Sequence, residues 1–253
     1  MIWKIIGQSV IGTSHIQSGK TCEDASSFKI LTLPDGEEAL ILFVSDGAGS
    51  AAFAAKAAEE SVIKAIDLAT VLIQSESVFN DGILQGFGEQ LYDHIERLAK
   101  EEQVPKNEFS CTLLGAILLP DKSVFIQIGD GAIVTSNQDG FFTPVWWPHN
   151  GEYQNTTAFL IDDPNLPTLK IKVLDSAVME IAVFTDGLQM LTLNNETESV
   201  HQPFFEGLFP WLRKASSSEN ISILNSRLID YLSGASINAR TDDDKTLLLA
   251  TRQ

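Results

Sequence analysis

The sequence predicts an α+β protein in which antiparallel sheets pack together and helices lie outside them. Strand-like segments arrive in hairpins and helical segments arrive in pairs, which differs from the strand–helix alternation of a parallel, doubly wound sheet. Of the 253 residues, 44% are hydrophobic, which is enough to bury a sizeable core. No internal repeat, low-complexity segment or linker divides the chain, so we expect a single domain over residues 1–253.

The chain is strongly acidic, with a net charge of −17. This charge argues against binding to nucleic acids or to anionic membranes, because both require basic patches. No apolar run approaches the roughly 18 residues of a membrane span, and the N-terminus lacks the long apolar core of a signal peptide, which together predict a cytoplasmic protein. Cys22 and Cys111 form no disulfide framework and lack metal-ligand spacing, so we expect both to be reduced.

Hydrophobic periodicity predicts the order of the elements. Apolar side chains at three- and four-residue steps indicate one pair of helices after residue 50 and a second pair within residues 203–232. Residues 14–24 are polar and are expected to form a loop, residues 109–136 an antiparallel meander, and residues 141–163 a long loop without any period. The segments predicted as strands are 1–12, 25–33, 39–45, 109–119, 123–128, 132–136, 169–174, 178–185 and 246–251.

Aspartates followed by glycine end three of the apolar runs, at Asp46, Asp130 and Asp186. A single Asp-Gly pair after a strand is most typical of a turn. The chain has three such strand ends, together with Glu23-Asp24 and the run Asp242-Asp243-Asp244. So many acidic positions indicate that they do not all serve simply as turns. Carboxylates that converge on one edge repel each other unless cations hold them.

Four aspartates from distant parts of the chain can meet at one rim if each lies at a strand end. Carboxylate oxygens, a backbone carbonyl and water are the ligand set of Mg²⁺ or Mn²⁺, whereas no cluster of His or Cys supports zinc. Two such ions about 3.5–4 Å apart share a bridging carboxylate and a bridging water, which becomes a nucleophile near neutral pH. This chemistry would hydrolyse a phosphomonoester by in-line attack, without a covalent enzyme intermediate. The four aspartates are Asp46, Asp130, Asp186 and Asp243.

Short motifs follow one another in a defined order along nearly the whole chain. They are Cys22-Glu23-Asp24-Ala25, Val44-Ser45-Asp46-Gly47-Ala48-Gly49, Ser110-Cys111-Thr112, Ile128-Gly129-Asp130-Gly131, Thr185-Asp186-Gly187-Leu188 and Asp243-Asp244-Lys245-Thr246. Each motif is weak alone, but the ordered set resembles that of the metal-dependent, type 2C Ser/Thr protein phosphatases (the PPM family), particularly their compact stand-alone bacterial members. The resemblance implies an α/β/β/α sandwich of two packed antiparallel sheets flanked by helix pairs, which agrees with the periodicity.

The resemblance also implies a role for each motif position. Asp46 would bridge two metal ions, and the carbonyl oxygen of Gly47 would bind the second ion. Asp186 and Asp243 would complete the first metal site. The Glu23-Asp24 pair would contact the second ion, partly through water.

A third metal ion and a flap are implied for the segment between the central motifs. Asp130 resembles the aspartate that holds a weaker third metal in bacterial members. Residues 150–160 fall where those members carry a mobile flap, which we place at about 141–168. The predicted metal ligands are therefore Glu23, Asp24, Asp46, Gly47, Asp130, Asp186 and Asp243.

The chain departs from the family pattern in the residues that would handle the phosphate and the leaving group. Many members have an arginine ahead of the first acidic motif, but here Lys20 or His15 would supply the charge or hydrogen bond, and Lys lacks the bidentate fork of Arg. The place of a proposed general-acid histidine is Ala48, so His15 is the nearest candidate to protonate the leaving oxygen, although a lone histidine in a loop is more often a surface residue. Asp244 replaces the usual Asn. No departure removes a predicted metal ligand.

Two function classes follow from these observations. The first is a Mg²⁺/Mn²⁺-dependent phosphatase acting on phosphoserine and phosphothreonine of proteins, whose bacterial relatives usually oppose a cognate Ser/Thr kinase and are monomers. The second is a non-catalytic module of the same fold that binds phosphoproteins or acts as a scaffold. A haloacid-dehalogenase-type phosphatase is rejected, because Val44 stands where its nucleophilic Asp would be. No segment has the alternating carboxylates of an EF-hand.

Overall fold

A computed structural model describes residues 2–75, 78–137, 139–148, 157–162 and 168–253 of the chain. The strands in these ranges are β1 Trp3–Val10, β2 Asp24–Thr32, β3 Glu38–Asp46, β4 Leu113–Leu118, β5 Ser123–Ile128, β6 Ala132–Ser136, β7 Phe142–Pro144, β8 Lys170–Leu174, β9 Glu180–Phe184, β10 Leu193–Asn194, β11 Ser199–Val200 and β12 Lys245–Arg252. The α-helices are α1 Thr13–Ser18, α2 Ala54–Gln74, α3 Asp81–Glu101, α4 Gln189–Thr192, α5 Gln202–Lys214, α6 Ser218–Leu232 and α7 Ala235–Asn238.

Two five-stranded sheets form the centre of the molecule. The first sheet has the strand order β2-β3-β4-β5-β8 and the second has the order β1-β12-β9-β6-β7. Every neighbouring pair in both sheets is antiparallel. Strands β10 and β11 form a separate short hairpin. The prediction of packed antiparallel sheets is therefore confirmed.

Three layers of apolar side chains hold the sheets and helices together. One core lies between the two sheets, a second lies between the first sheet and helices α2 and α3, and a third lies between the second sheet and helices α4 to α7. The order of layers is helix, sheet, sheet, helix, as the α/β/β/α prediction requires. None of the helices in the described ranges combines the length and the apolar composition that a membrane span needs.

Strand β3 shows how this packing aims a functional side chain. Leu42 and Val44 belong to the core between the sheets, whereas Ile41 and Phe43 belong to the core beneath α2 and α3. Both faces are buried, which explains why the strand appears in the sequence as a continuous apolar run. Successive side chains alternate between faces, so Asp46 continues the series of Leu42 and Val44 and lies at the rim between the sheets.

The predicted meander over residues 109–136 is wrong in its last step. Strands β4 and β5 pair in the first sheet, but β6 belongs to the second sheet, where it lies beside β9. The chain crosses between the sheets at Gly129 and Gly131, which adopt φ values of +99° and +92°. Glycine reaches this left-handed region without the steric penalty of a Cβ atom, so the crossover can be short. Asp130 lies between these two glycines.

Other short segments carry secondary structure that the periodicity did not indicate, and two of them lie in predicted loops. Residues 13–18, placed in a predicted loop, form helix α1, which ends at Gly19 in the left-handed conformation. Residues 142–144, also within a predicted loop, form β7 at the edge of the second sheet. Both elements are too short for a periodic pattern to develop.

Candidate metal centre

The predicted site lies at one end of the sandwich, where several strands begin or end. Asp24 starts β2 and Asp46 ends β3, and the two residues are direct partners in the antiparallel ladder. The turn of this hairpin lies at the far end of the same strands. The register of one hairpin therefore brings two of the predicted ligands side by side.

Three predicted ligands from distant segments come together at this end. Asp46, Asp130 and Asp186 each place a carboxylate oxygen within 4.8 Å of the others. Asp130 arrives on the crossover from the first sheet to the second, and Asp186 opens the 3₁₀ turn that follows β9. Among the described residues, these three aspartates form the group of potential metal ligands whose atoms lie close enough together to share one ion.

Asp243 and Asp24 lie beside this group. The charge of Asp243 contributes to the raised pKa of both Asp46 and Asp186. Asp24 is 8% exposed, and its Oδ2 atom accepts hydrogen bonds from the hydroxyls of Thr185 at 2.7 Å and Thr246 at 2.8 Å. The two threonines hold the carboxylate of Asp24 in a fixed orientation between the sheets.

Burial dominates the electrostatics of the cluster. It raises the pKa of Asp24 to about 7 against the two threonine hydrogen bonds that lower it. Burial, followed by the charges of Asp130 and Asp243, raises the pKa of Asp186 to about 7. The pKa of Asp46 also lies well above its ordinary value, because of burial and then the neighbouring carboxylates. These side chains resist ionisation as a group, and a bound cation would reverse that resistance.

The backbone around Asp46 is fixed on both sides. Its N–H donates to the Thr112 hydroxyl at 2.9 Å, and its carbonyl accepts from the Thr112 N–H at 2.8 Å. The Gly47 N–H donates to the carbonyl of Glu23 at 3.1 Å. A Cβ atom at Gly47 would lie 2.5 Å from the carbonyl oxygen of Ala54, so only glycine permits this approach of α2. Thr112 therefore supports the position of Asp46 through a pair of hydrogen bonds.

His15 and Lys20 both lie next to Glu23 rather than next to the aspartate cluster. The Nε2 atom of His15 is 3.5 Å from Glu23 Oε2, and its Nδ1 atom is 2.9 Å from Asp244 Oδ2. The Lys20 ammonium lies 3.1 Å from Glu23 Oε1 and donates to the carbonyl of Gly49 at 2.8 Å. Its side chain is 38% exposed, whereas that of His15 is 14% exposed. Lys20 therefore stands at the solvent rim and His15 stands behind it.

Asp244 is a residue of the site that the sequence reasoning treated only as a departure from the family pattern. It is 2% exposed, and its Oδ1 atom accepts from the Gly12 N–H at 2.6 Å. Its Oδ2 atom accepts from the Glu23 N–H and contacts His15. One carboxylate thus ties together the start of α1, the start of β2 and the approach to β12. Its place in a run of three aspartates gave no sign of this separate function.

Part of the predicted flap lies against the cluster. The Thr157 hydroxyl donates to Asp130 Oδ2 at 2.7 Å, and the Leu160 N–H donates to the Cys111 carbonyl at 2.8 Å. Leu160 and Ile161 are buried in the core beneath α2 and α3. Residues 149–156 and 163–167 of the predicted flap lie outside the described residues.

Comparisons with known proteins agree on one family. The sequence profile described as Protein phosphatase 2C matches residues 11–233. Serine/threonine-protein phosphatase 3 of Escherichia coli (strain K12) is 35% identical over 251 residues, which cover 99% of this chain and 98% of that protein.

Solved structures show the same fold at low sequence identity. The S. agalactiae serine/threonine phosphatase superposes with a TM-score of 0.62 and 16% identity, covering 100% of both chains. The catalytic domain of the serine threonine protein phosphatase PstP, in complex with 2 manganese ions, superposes with a TM-score of 0.59 and 15% identity, covering 98% of this chain and 97% of that one. With its ordered motifs, its two-sheet sandwich and a relative of this identity over the full length, the chain belongs to the protein phosphatase 2C family.

Proposed function

We propose that the protein is a metal-dependent protein phosphatase that removes phosphate from phosphoserine and phosphothreonine of proteins. The observation that carries the proposal is the convergence of Asp46, Asp130 and Asp186, whose carboxylate oxygens lie within 4.8 Å of one another. The family of the chain and the name of its E. coli relative support the same activity.

The donor set fits Mg²⁺ or Mn²⁺. All three ligand atoms of the group are carboxylate oxygens, which hard cations prefer. Burial and repulsion raise the pKa of Asp46 and Asp186, and a divalent cation would relieve this electrostatic cost. The manganese complex of the PstP catalytic domain supports two ions of this kind. When bound, the ions supply an activated water as the nucleophile and neutralise the charge of the phosphate.

The assignment of ligands follows the positions of the side chains. Asp46, which ends β3 opposite Asp24 and lies in the group of three converging carboxylates, is proposed to be common to two ions. Asp186 and Asp243 would complete the first site. The carbonyl oxygen of Gly47 would belong to the second site.

Three further residues complete the proposed set of ligands. Glu23 and Asp24 would contact the second ion, partly through water, because the threonine hydrogen bonds of Asp24 occupy only its Oδ2 atom. Asp130 would hold a third ion, and its bond to Thr157 links that position to the flap.

Two side chains are proposed to act on the substrate directly. Lys20 would bind the phosphate in place of the family's arginine, since its ammonium is at the solvent rim and its stem is flexible. His15 would protonate the leaving oxygen, oriented by the contact between its Nδ1 atom and Asp244.

Kinetic variants separate these two roles. Lys20→Met is expected to raise KM by about 10- to 100-fold, because a hydrogen bond to a charged group contributes about 1.5–3 kcal/mol. His15→Gln is expected to lower kcat about 10²-fold on a phosphothreonine peptide but much less on an aryl phosphate, whose leaving group needs no proton. Lys29→Met and His201→Gln, which change exposed residues elsewhere, serve as matched controls. An equal loss by His15→Gln on both substrates would contradict the acid role.

The proposal extends to the setting in which the enzyme works. We infer a single cytoplasmic phosphatase domain over residues 1–253, with a flap at about 141–168, that acts as a monomer on phosphoproteins and opposes a cognate Ser/Thr kinase. The net charge of −17 supports the absence of nucleic-acid and membrane partners.

Turnover distinguishes the phosphatase from the alternative of a non-catalytic phosphoprotein-binding or scaffold module. Hydrolysis of a phosphothreonine peptide is measured with Mn²⁺, with a chelator and with the Asp46→Asn variant. The chelator is expected to abolish turnover, and Asp46→Asn to reduce it by about 10³-fold, since a metal contributes several kcal/mol to the transition state. Asp93→Asn, an exposed change on α3, is the control. Wild-type protein that binds phosphopeptides and turns over none of them would favour the scaffold.

A further inference from the structure

A groove runs between α5 and α6 on the outer face of the second sheet. The two helices are antiparallel neighbours joined by residues 215–217, and Ile6 of β1 lies between them at the base. The groove has a volume of about 350 Å³ and continues into a second hollow of about 290 Å³. Trp211 and Leu224 line both hollows, so they form one continuous depression along the helix pair.

The walls of the groove expose large apolar side chains. Trp211 on α5 is 59% exposed, and Tyr231 and Ile223 on α6 are 38% and 44% exposed. Leu208 and Leu224 lie between them and are only partly buried. Aromatic and aliphatic residues in a concave surface of this kind are the usual anchors of a protein interface.

Gly207 in the middle of α5 leaves one wall of the groove without a side chain. A glycine inside a helix is less favourable than alanine. Its φ angle is not in the left-handed region, and a Cβ atom added there would meet no atom within 4 Å. Packing within the described chain therefore does not require glycine. The missing side chain instead keeps the groove open along one wall.

The charge of the groove is opposite to that of the whole protein. Lys214 and Arg227 line it, and no carboxylate does, although the chain contains 34 acidic and only 17 basic residues. The ammonium of Lys214 also lies 5.9 Å from the ring centroid of Trp211, which joins the basic rim to the apolar wall. This combination favours a partner with both apolar and acidic side chains.

We propose that this groove is a docking site for an amphipathic, acidic helical segment of a phosphoprotein substrate, distinct from the phosphorylated residue. A third helix can lie between two antiparallel helices with its apolar face inward, and its carboxylates would then meet Lys214 and Arg227. The identity of the partner as a substrate rests on the proposed phosphatase activity, whereas the binding of such a helix does not.

Three synthetic substrates test the proposal. One phosphothreonine peptide carries a flexible linker and a Glu/Leu amphipathic helix, a second carries the same helix with Lys in place of each Glu, and a third carries the linker alone. We expect the acidic helix to lower KM about tenfold without changing kcat, because docking raises the local concentration of the phosphothreonine. A fluorescently labelled acidic helix without phosphothreonine measures binding directly by anisotropy, independently of turnover.

Variants of the groove separate docking from folding. Gly207→Leu is expected to fill the groove and abolish the KM advantage while raising the melting temperature, because leucine favours the helix. Gly86→Leu, in an equally open position on α3, is the matched control and should keep the advantage. The double variant Lys214→Glu/Arg227→Glu should no longer bind the acidic helix and should instead prefer the substrate with the Lys-bearing helix.

Several outcomes would overturn the proposal. They are equal KM values for the three substrates, an advantage that persists in Gly207→Leu, and a labelled acidic helix that binds the Lys214→Glu/Arg227→Glu variant as tightly as the wild type. Dimerisation of the wild type that Gly207→Leu abolishes would assign the groove to a second copy of the chain instead. If no substrate is turned over but the labelled helix binds only to proteins with an open groove, the phosphatase proposal fails and the docking surface stands.

Discussion

The opposite ends of strands β9 and β12 bury charge in contrasting ways. At one end, the Glu180 carboxylate accepts hydrogen bonds from the guanidinium of Arg213 at 2.7 and 2.6 Å and from the Thr251 hydroxyl at 3.1 Å. At the other end, Asp186 follows β9 and Asp243 precedes β12, and each raises the cost of ionising its neighbours. The carboxylate at the first end is paired with a cation of the protein itself, whereas Asp46 and Asp186 at the second end are repelled by neighbouring carboxylates.

The same contrast appears along β12. Its last residues include Arg252, which is buried, donates to the Leu119 carbonyl at 3.1 Å and lies 5.6 Å from the ring centroid of Trp3. Its first residues follow Asp243 and Asp244 directly. The carboxylates of Asp46 and Asp186, which are repelled by each other or by their acidic neighbours, mark the place where a cation from outside is needed.

The largest expected effect is the response of the metal-free protein to pH. Asp24 and Asp186 have pKa values raised from 3.8 to about 7 by folding. Between these values the folded protein binds more protons than the unfolded one, so the free energy of unfolding falls as pH rises. We expect a loss of about 2–4 kcal/mol from pH 5 to pH 7, measured by urea denaturation in the presence of chelator.

Saturating Mn²⁺ should remove this decline or invert it, because metal ligands must be deprotonated and the ion therefore binds more tightly at higher pH. A metal-free protein whose stability rises steadily from pH 5 to pH 7 would show that the carboxylates are neutralised in some other way.

The second prediction concerns the end of β9 and β12 at which Glu180 is paired with Arg213. Arg213→Met removes the partner of Glu180, which is 5% exposed, and should lower the free energy of unfolding by about 1–3 kcal/mol. Activity at saturating Mn²⁺ well below the melting temperature should stay unchanged. Arg97→Met, which breaks a surface pair with Glu101 at 4.0 Å, is the control and should cost much less. Equal losses in the free energy of unfolding for the two variants would mean that burial of the Glu180–Arg213 pair contributes little to stability.

The smallest expected effect is on the stability of the metal-free protein and concerns the aspartates at the opposite end of β9 and β12. Asp46→Asn removes one of the mutually repelling carboxylates and should stabilise the metal-free protein by about 1 kcal/mol, despite its loss of catalysis. The increase in melting temperature that Mn²⁺ gives to the wild type should disappear. Thermal denaturation with and without Mn²⁺ measures both quantities, and a destabilised metal-free variant would argue against repulsion as the dominant interaction there.

The sequence predicted the parts of the site that depend on strand ends. An apolar run that stops at Asp-Gly defines where the strand ends, and the alternation in β3 then decides which face Asp46 occupies. Asp24 and Asp46 are direct partners because the turn at residues 34–37 sets the register of their hairpin. These features are local, so one stretch of sequence contains the information they need.

The parts that the sequence missed depend on contacts between distant segments. Gly129-Asp130-Gly131 suits a hairpin turn as well as a crossover, and only the packing of β6 beside β9 distinguishes the two. Asp244 has the same side chain as its two predecessors. Its function depends on the positions of Gly12 and Glu23, which lie more than 200 residues away along the chain.

The pairing of Asp24 with Asp46 limits how the length of this chain can vary during evolution. Deleting one residue inside β3 would turn Asp46 to the opposite face and shift it along the strand by about 3.3 Å. Insertions or deletions within the turn at residues 34–37 preserve the pairing of the two aspartates only where the buried faces of the strands keep the same register. We therefore expect length changes at the far tip of this hairpin to be tolerated better than length changes within β3.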